Sequence, residues 1–175
     1  WGADIPLAGL AAIGAEVGSD VPSLVFAQSG VPVLMEGRGE KATPLPELAK
    51  IFHIVVAMPP VTCPTGEIYA KCNSRLADAP SILYNMRQAI IGGDIGAVAA
   101  AMMNDLAASA EMLHGEVARA RETLMEAGAR GAMVSGSGSS VFALFNTAEA
   151  VRMAAEKIAA GGLRAVPAKT YCPVV

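Results

Sequence analysis

Arg130-Gly-Ala-Met-Val-Ser135-Gly-Ser-Gly-Ser-Ser140-Val-Phe-Ala-Leu-Phe145 is a pair of short apolar runs separated by six residues that are all serine or glycine. Apolar runs of this length, bounded by turn formers, read as buried strands, so strands are expected over 130–134 and 141–145 with a tight connection between them. On either side the apolar spacing becomes helical. Upstream, one long helix is expected over 107–127, closed by Gly128; downstream, Thr147 caps a helix to about 160 that Gly161-Gly162 ends. Farther out, the β-branched run 51–58 stops at Pro59-Pro60 and reads as a buried strand, and 163–171 as the last strand. Between them come a loop over 61–65 and a short helical turn over 67–72. A helix capped by Ser81 follows, broken by Gly92-Gly93, and then one capped by Asp94 and running to about 103. From residue 51 the order is β-α-β-β-α-β with the first α subdivided. That is an α+β chain with the split βαβ, ferredoxin-like arrangement.

The first fifty residues follow a different pattern. Asp4 is a candidate N-cap with Pro6 in the first turn, and Leu7, Leu10, Ile13 and Val17 recur near helical spacing until Gly18 stops them. A helix is therefore expected over 5–17. Ser19-Asp20-Val21-Pro22 reads as a turn before the apolar run Leu24-Val25-Phe26. Gln28-Ser29-Gly30 is a second turn, 31–35 a strand, 36–40 a flexible loop, and 43–50, carrying Pro44 and Pro46, a connector. The boundary falls near residue 50, giving a helix-and-hairpin segment over 1–50 and a domain over 51–175.

Composition narrows the function classes. Of 175 residues, 53% are hydrophobic and 17% charged, which excludes a disordered chain and suggests a surface partly covered by something else. Net charge is −3 and the 13 basic residues are scattered, so no nucleic-acid surface is expected. Cys63, Cys72 and Cys172 show no metal-ligand spacing and read as reduced thiols of a cytoplasmic protein; His53 and His114 are isolated and read as structural or exposed rather than as ligands or bases. No apolar run reaches the length of a membrane span. The chain opens on Trp1 rather than Met, with no signal-peptide character, and a truncated or processed product is expected.

Four segments carry chemistry in principle. Gly136 and Gly138 alternate with Ser137 and Ser139, so backbone N–H groups and hydroxyls can converge on phosphate oxygens; the same residues also make a plain serine-rich hairpin loop. Asp20, between a helix end and a proline, is either a turn residue or a carboxylate that accepts or orients a hydroxyl proton in phosphoryl transfer. Gly37-Arg38-Gly39-Glu40 either approaches a ligand or simply ends a hairpin. Thr65 and Tyr69, in Pro64-Thr65-Gly66-Glu67-Ile68-Tyr69, can offer a hydroxyl and an aromatic face to a base or sugar, or Tyr69 can be core packing.

In order, the chain reads Gly-Ser-Asp-Val-Pro, Glu-Gly-x-Gly-Glu, Pro-Thr-x-x-Ile-Tyr, Asn104-Asp105-Leu106 and Ser-Gly-Ser-Gly-Ser-Ser-Val-Phe. That series resembles the 4-diphosphocytidyl-2-C-methyl-D-erythritol kinases of the GHMP superfamily along essentially the whole chain. The resemblance implies that Asp20 is the catalytic aspartate serving the acceptor hydroxyl. It implies that Thr65 and Tyr69 contact the cytidine end of the substrate, and that Gly37, Arg38 and Gly39 approach the same ligand. Gly136, Ser137, Gly138 and Ser139 would face phosphates. It further implies ATP and Mg²⁺ as cofactors, a cytidine-diphosphate-linked substrate and no metal ligands among the site residues. The family's early lysine and its other glycine-rich phosphate loop have no counterpart here, and Lys41, Lys50 and Lys71 lie elsewhere. Turnover is therefore not expected from these residues alone, and association with an N-terminal part or as a homodimer is. The stretch between Asp20 and Gly37 is a few residues longer than the family's hairpin. Other GHMP kinases, and a non-catalytic ferredoxin-like binding module, are the competing readings.

Overall fold

The computed structural model describes residues 4–46, 50–72 and 79–171. They divide into two compact units: residues up to Lys50 with Tyr171, and Ile51–Thr170.

In the first unit, helix α1 (Leu7–Val17) begins after Pro6, whose extended backbone at the N-cap position replaces the expected Asp4 cap. A proline is well suited there, because the first helical turn has no partner for its N–H groups. The helix closes where Gly18 N–H donates to Gly14 C=O at 3.1 Å. Residues 21–27, expected to leave a turn in a run of apolar residues, instead form a second helix, α2 (Val21–Ala27), with Pro22 in its first turn. Gly14 makes room for it, since a Cβ there would lie 2.7 Å from Val21 Cγ1. Strands β1 (Val33–Glu36) and β2 (Lys41–Pro44) pair antiparallel from Glu36↔Lys41 to Val33↔Pro44. Thr43 and Pro44, expected in a connector, thus belong to the hairpin. Pro44 is tolerated because it ends an edge strand and Leu45 N–H carries on the pairing to Pro32 C=O at 2.8 Å. Of the expected connector, 47–49 lie outside the described residues.

The second unit begins with β3 (His53–Met58), followed by α3 (Thr65–Lys71), α4 (Ala79–Gly92) and α5 (Ile95–Ala101). Asp94 caps α5 as expected, accepting from the N–H groups of Gly96 and Ala97. The single helix expected over 107–127 is two, α6 (Ala107–Leu113) and α7 (Gly115–Glu126), broken at His114, which is extended at φ −133° and ψ 92°. Gly115 immediately after it is a weaker helix former than any residue but proline, so the break costs little. Arg121 and Glu111 bridge it with an ion pair at 2.6 Å. Strands β4 (Gly131–Val134) and β5 (Val141–Phe145), helix α8 (Ala148–Ala160) and strand β6 (Arg164–Lys169) complete the unit.

The four strands form one sheet in the order β4-β5-β3-β6, every neighbouring pair antiparallel. Period-two alternation in β3 turns Val55 and Ala57 to one face, where they are fully buried with Val141, Ala143 and Phe145 of β5. Val117, Ala120 and Leu124 of α7, Val151, Ala154, Ala155 and Ile158 of α8, and Ile68 of α3 cover that face. Each of the larger side chains contributes about 1.5–3 kcal/mol by leaving water. Pro167, opposite Val55, is accommodated because β6 is an edge strand. No described helix is long and apolar enough to cross a membrane.

Candidate functional site

The first unit brings two of the sequence-predicted segments together. Asp20 is at the mouth of α2, exposed, with near-helical dihedrals, and its side chain caps nothing. Its backbone carbonyl accepts from Ser23 Oγ at 2.7 Å. The hairpin turn packs directly against it. A Cβ on Gly39 would meet Asp20 Oδ1 at 3.1 Å and Ser19 C=O at 3.3 Å, and the glycine itself has φ +110°. Gly39 N–H closes the turn on Glu36 C=O at 3.1 Å, with Gly37 at φ +69° in the first central position, the pattern of hairpin turns that demand glycine there. Arg38 is exposed at the tip, and its N–H donates to Glu40 Oε2 at 2.6 Å. The bond from Glu40's own N–H, then that from Arg38 N–H, and the neighbouring Arg38 and Lys41 charges hold the Glu40 carboxyl below the usual glutamate range. Helix α2 occupies part of the stretch between Asp20 and Gly37.

The second unit brings together the other two segments. Thr65 opens α3, and its Oγ1 lies 3.1 Å from Ser137 Oγ across seventy-two positions of sequence. Tyr69, one turn along from Thr65, shares its face and is 62% exposed, whereas Ile68 between them is wholly buried. Tyr69 therefore is not core packing; Ile68 takes that place. In the 135–140 loop, Ser135 N–H donates to Ser140 C=O and Gly138 N–H to Ser135 C=O, both at 2.9 Å. The N–H groups of Gly136, Ser137 and Ser139 donate to no backbone carbonyl among the described residues. Gly136 at φ +56° gives the chain the left-handed step that lets successive amides converge.

Three features around this loop were not anticipated. Asn104 Nδ2 donates to the carbonyls of Val134 and Gly136, both at 2.8 Å, while its Oδ1 accepts from Leu106 N–H at 2.9 Å. An Asn two residues before a helix-entry N–H is a recognisable Asx-turn signal, but its reach to the loop is not local. Cys63 is buried beneath Gly138, where a Cβ would approach its Sγ to 3.2 Å. Burial, reinforced by the Glu116 charge, pushes its thiol up and keeps it neutral. Finally, Asn104, Ser135 and Gly136 border an open cavity of about 320 Å³ floored by Met86, Met102, Met103, Met133 and Phe142. Cys72 Sγ donates to Asp105 C=O at 3.5 Å; Cys172 lies outside the described residues.

Residues 86–162 match the family model described as GHMP kinases C terminal. Over those residues the chain is similar to the C-terminal domain of the GHMP kinases, with the mixed α and β structure described above. Within that class it is similar to 4-diphosphocytidyl-2-C-methyl-D-erythritol kinases along nearly all its length. It is 35% identical to that enzyme of Symbiobacterium thermophilum over 161 residues, 90% of this chain and 55% of the enzyme. It is 33% identical to that of Pelotomaculum thermopropionicum over 180 residues, 99% of this chain and 59% of the enzyme. A crystal structure of 4-(cytidine 5'-diphospho)-2C-methyl-D-erythritol kinase superposes with a TM-score of 0.72 at 27% identity, covering 97% of this chain and 58% of that one. The resemblance read from the ordered motifs holds. The chain spans somewhat over half the length of these relatives.

Proposed function

We propose that this chain supplies the C-terminal part of an ATP-dependent kinase that phosphorylates the 2-hydroxyl of 4-diphosphocytidyl-2-C-methyl-D-erythritol, a cytoplasmic step of non-mevalonate isoprenoid-precursor synthesis. The observation that carries the reading is the Thr65–Ser137 contact, which joins the segment assigned to the cytidine end with the segment assigned to phosphates. The β-α-β-β-α-β order and the antiparallel β4-β5-β3-β6 sheet support the ferredoxin-like description of the second unit.

Asp20 accepts or orients the proton of the acceptor hydroxyl, and the packing of Gly39 against its carboxylate limits where that carboxylate can point. Gly37, Arg38 and Gly39 form the hairpin tip that approaches the same ligand. Tyr69 offers an exposed aromatic face to the cytosine base, and Thr65 a hydroxyl one helical turn away. The N–H groups of Gly136, Ser137 and Ser139, with Gly138 closing the turn between them, offer donors to phosphate oxygens, which need donors rather than covalent partners because phosphoryl transfer is mainly positioning and charge stabilisation. ATP, when bound, supplies the γ-phosphoryl group. Mg²⁺, which usually binds through substrate phosphates with one or two carboxylates, would offset the charge of those phosphates. The exposed row Leu7, Leu10, Ile13 and Val17 supports association of the first unit with the N-terminal part of such an enzyme.

In the complete enzyme, Asp20→Asn is expected to lower turnover by several orders of magnitude with an unchanged unfolding transition; retained activity would remove Asp20 from the reaction. For the 175-residue chain, equilibrium titration should give weak cytidine diphosphate binding and no ATP hydrolysis, and tight ATP binding would contradict the assignment.

A further inference from the structure

The proposed role of the 135–140 loop leaves open what holds its free amides in a binding geometry. A six-residue loop of serine and glycine has large backbone entropy, and of its own amides only Ser135 and Gly138 bond within it. The missing restraint comes from outside. Asn104 spends both amide hydrogens on the loop entrance, one on the carbonyl of Val134, the last residue of β4, and one on that of Gly136. Its oxygen is fixed in turn by Leu106 N–H. Because the oxygen faces a donor and the nitrogen faces two acceptors, only one orientation of the amide satisfies all three bonds.

Peptide planarity turns this into a statement about the ligand side. In a trans peptide the carbonyl of one residue and the N–H of the next point in opposite directions. Drawing the Gly136 carbonyl onto Asn104 therefore aims the Ser137 N–H away from Asn104. Drawing in the Val134 carbonyl likewise aims the Ser135 N–H away, and that N–H closes the loop on Ser140 C=O. One side chain thus sets both the closure of the loop and the direction of its central unpaired amide, while Thr65 steadies the hydroxyl of the same Ser137.

We propose that Asn104 is the positioning residue for anion binding by the 135–140 loop, orienting the Ser137 amide toward a phosphate or diphosphate group. This rests on the phosphate-facing reading of the loop. The test is a set of amide-resolved NMR titrations of the isotope-labelled 175-residue chain with inorganic pyrophosphate, cytidine diphosphate and ATP separately. The wild-type chain should show saturable shifts at Gly136, Ser137 and Ser139. Asn104→Ala should weaken that response roughly tenfold, the size expected for two lost hydrogen bonds to carbonyls, while amides of the sheet core at Val55 and Phe145 stay in place. Asn104→Asp keeps the acceptor for Leu106 and the side-chain shape but turns an oxygen toward two carbonyls, so it should weaken the response at least as much. A stronger loop response to cytidine diphosphate than to ATP assigns the substrate's diphosphate; the reverse assigns the triphosphate; either supports the role of Asn104. Unchanged affinity in both variants overturns the role of Asn104 and leaves the loop reading intact. Absence of any loop response in the wild-type chain sinks the loop reading and this inference together. Loss of the folded spectrum in both variants would show Asn104 to be a general structural residue and would also overturn the inference.

Discussion

Replacing Gly39 by alanine tests the packing of the hairpin turn against Asp20 within the first unit. Its φ of +110° lies beyond even the left-handed helical region, so an L-residue there costs of order 1–3 kcal/mol in backbone strain. The added methyl would also stand 3.0 Å from Met35 Cε, 3.1 Å from Asp20 Oδ1 and 3.3 Å from Ser19 C=O. The methionine tip moves away cheaply, the exposed carboxylate rotates, and the backbone carbonyl must shift by a few tenths of an ångström. Adding about 1 kcal/mol for these adjustments gives a total near 2–4 kcal/mol. Gly37→Ala is the control. Its φ of +69° is within the left-handed region, and its nearest obstacle, at 2.6 Å, is the Glu40 carboxylate, the far end of a flexible side chain. About 1–2 kcal/mol is expected there, with no contact to Asp20. Amide hydrogen exchange in β1 and β2 reads both: protection should fall roughly 30- to 1,000-fold in Gly39→Ala and about 5- to 30-fold in Gly37→Ala. In the complete enzyme only Gly39→Ala presses on the Asp20 carboxylate, so it should lower kcat well beyond Gly37→Ala. Equal protection losses in the two variants, or wild-type turnover in Gly39→Ala, would refute the packing argument.

Ile68→Ala and Tyr69→Ala should part company although the residues are adjacent. The first opens a cavity in the core and should cost about 2–5 kcal/mol in denaturant unfolding of the second unit. The second, largely exposed, should stay within about 0.5 kcal/mol yet weaken cytidine diphosphate binding at least tenfold; equal destabilisation would contradict the exposure, and unchanged binding the assigned role. Glu40 should titrate below its ordinary value of 4.5 because its carboxylate is the bonded form. Its contribution to the turn is therefore present above that value and lost as pH falls through the lowered one. The Arg38 amide resonance should follow that midpoint and lose it in Glu40→Gln; a midpoint at or above 4.5 would be incompatible with the bond.

The parts of the fold that were legible in the sequence are those dictated by period and punctuation. Thr147 with Gly161, Asp94 with Gly92-Gly93, and the two apolar runs around the serine-glycine loop each state a local rule that burial does not contradict. Where two local rules competed, the sequence misled. The segment around His114 has helical periodicity throughout, and only Gly115 hints at the break, a hint that a single glycine in a long helix usually does not justify. At 21–27, Pro22 reads equally as the second residue of a turn or the first turn of a helix, and the close approach that Gly14 permits to Val21, a tertiary matter, decides for the helix. Pro44 looked like a connector residue because a proline spoils a central strand, but an edge strand has no use for its N–H.

The site divides along the same line. Asp20 and Gly39, or Thr65 and Ser137, could be named as residue types suited to a task, but nothing in their spacing says which pairs meet. A contact across seventy-two positions exists only because β3 and β5 are neighbours in the sheet, which brings the loop leaving β3 beside the loop entering β5. Asn104 shows the limit most clearly. Its bond to Leu106 is a two-residue rule and readable; its bonds to Val134 and Gly136 require α5 to end beside β4. The loop's glycines make amide convergence possible but cannot select it, since the same freedom admits many other conformers. A side chain thirty positions upstream of the strand end makes that selection, so the chemistry of the loop is encoded partly outside the motif by which it is recognised.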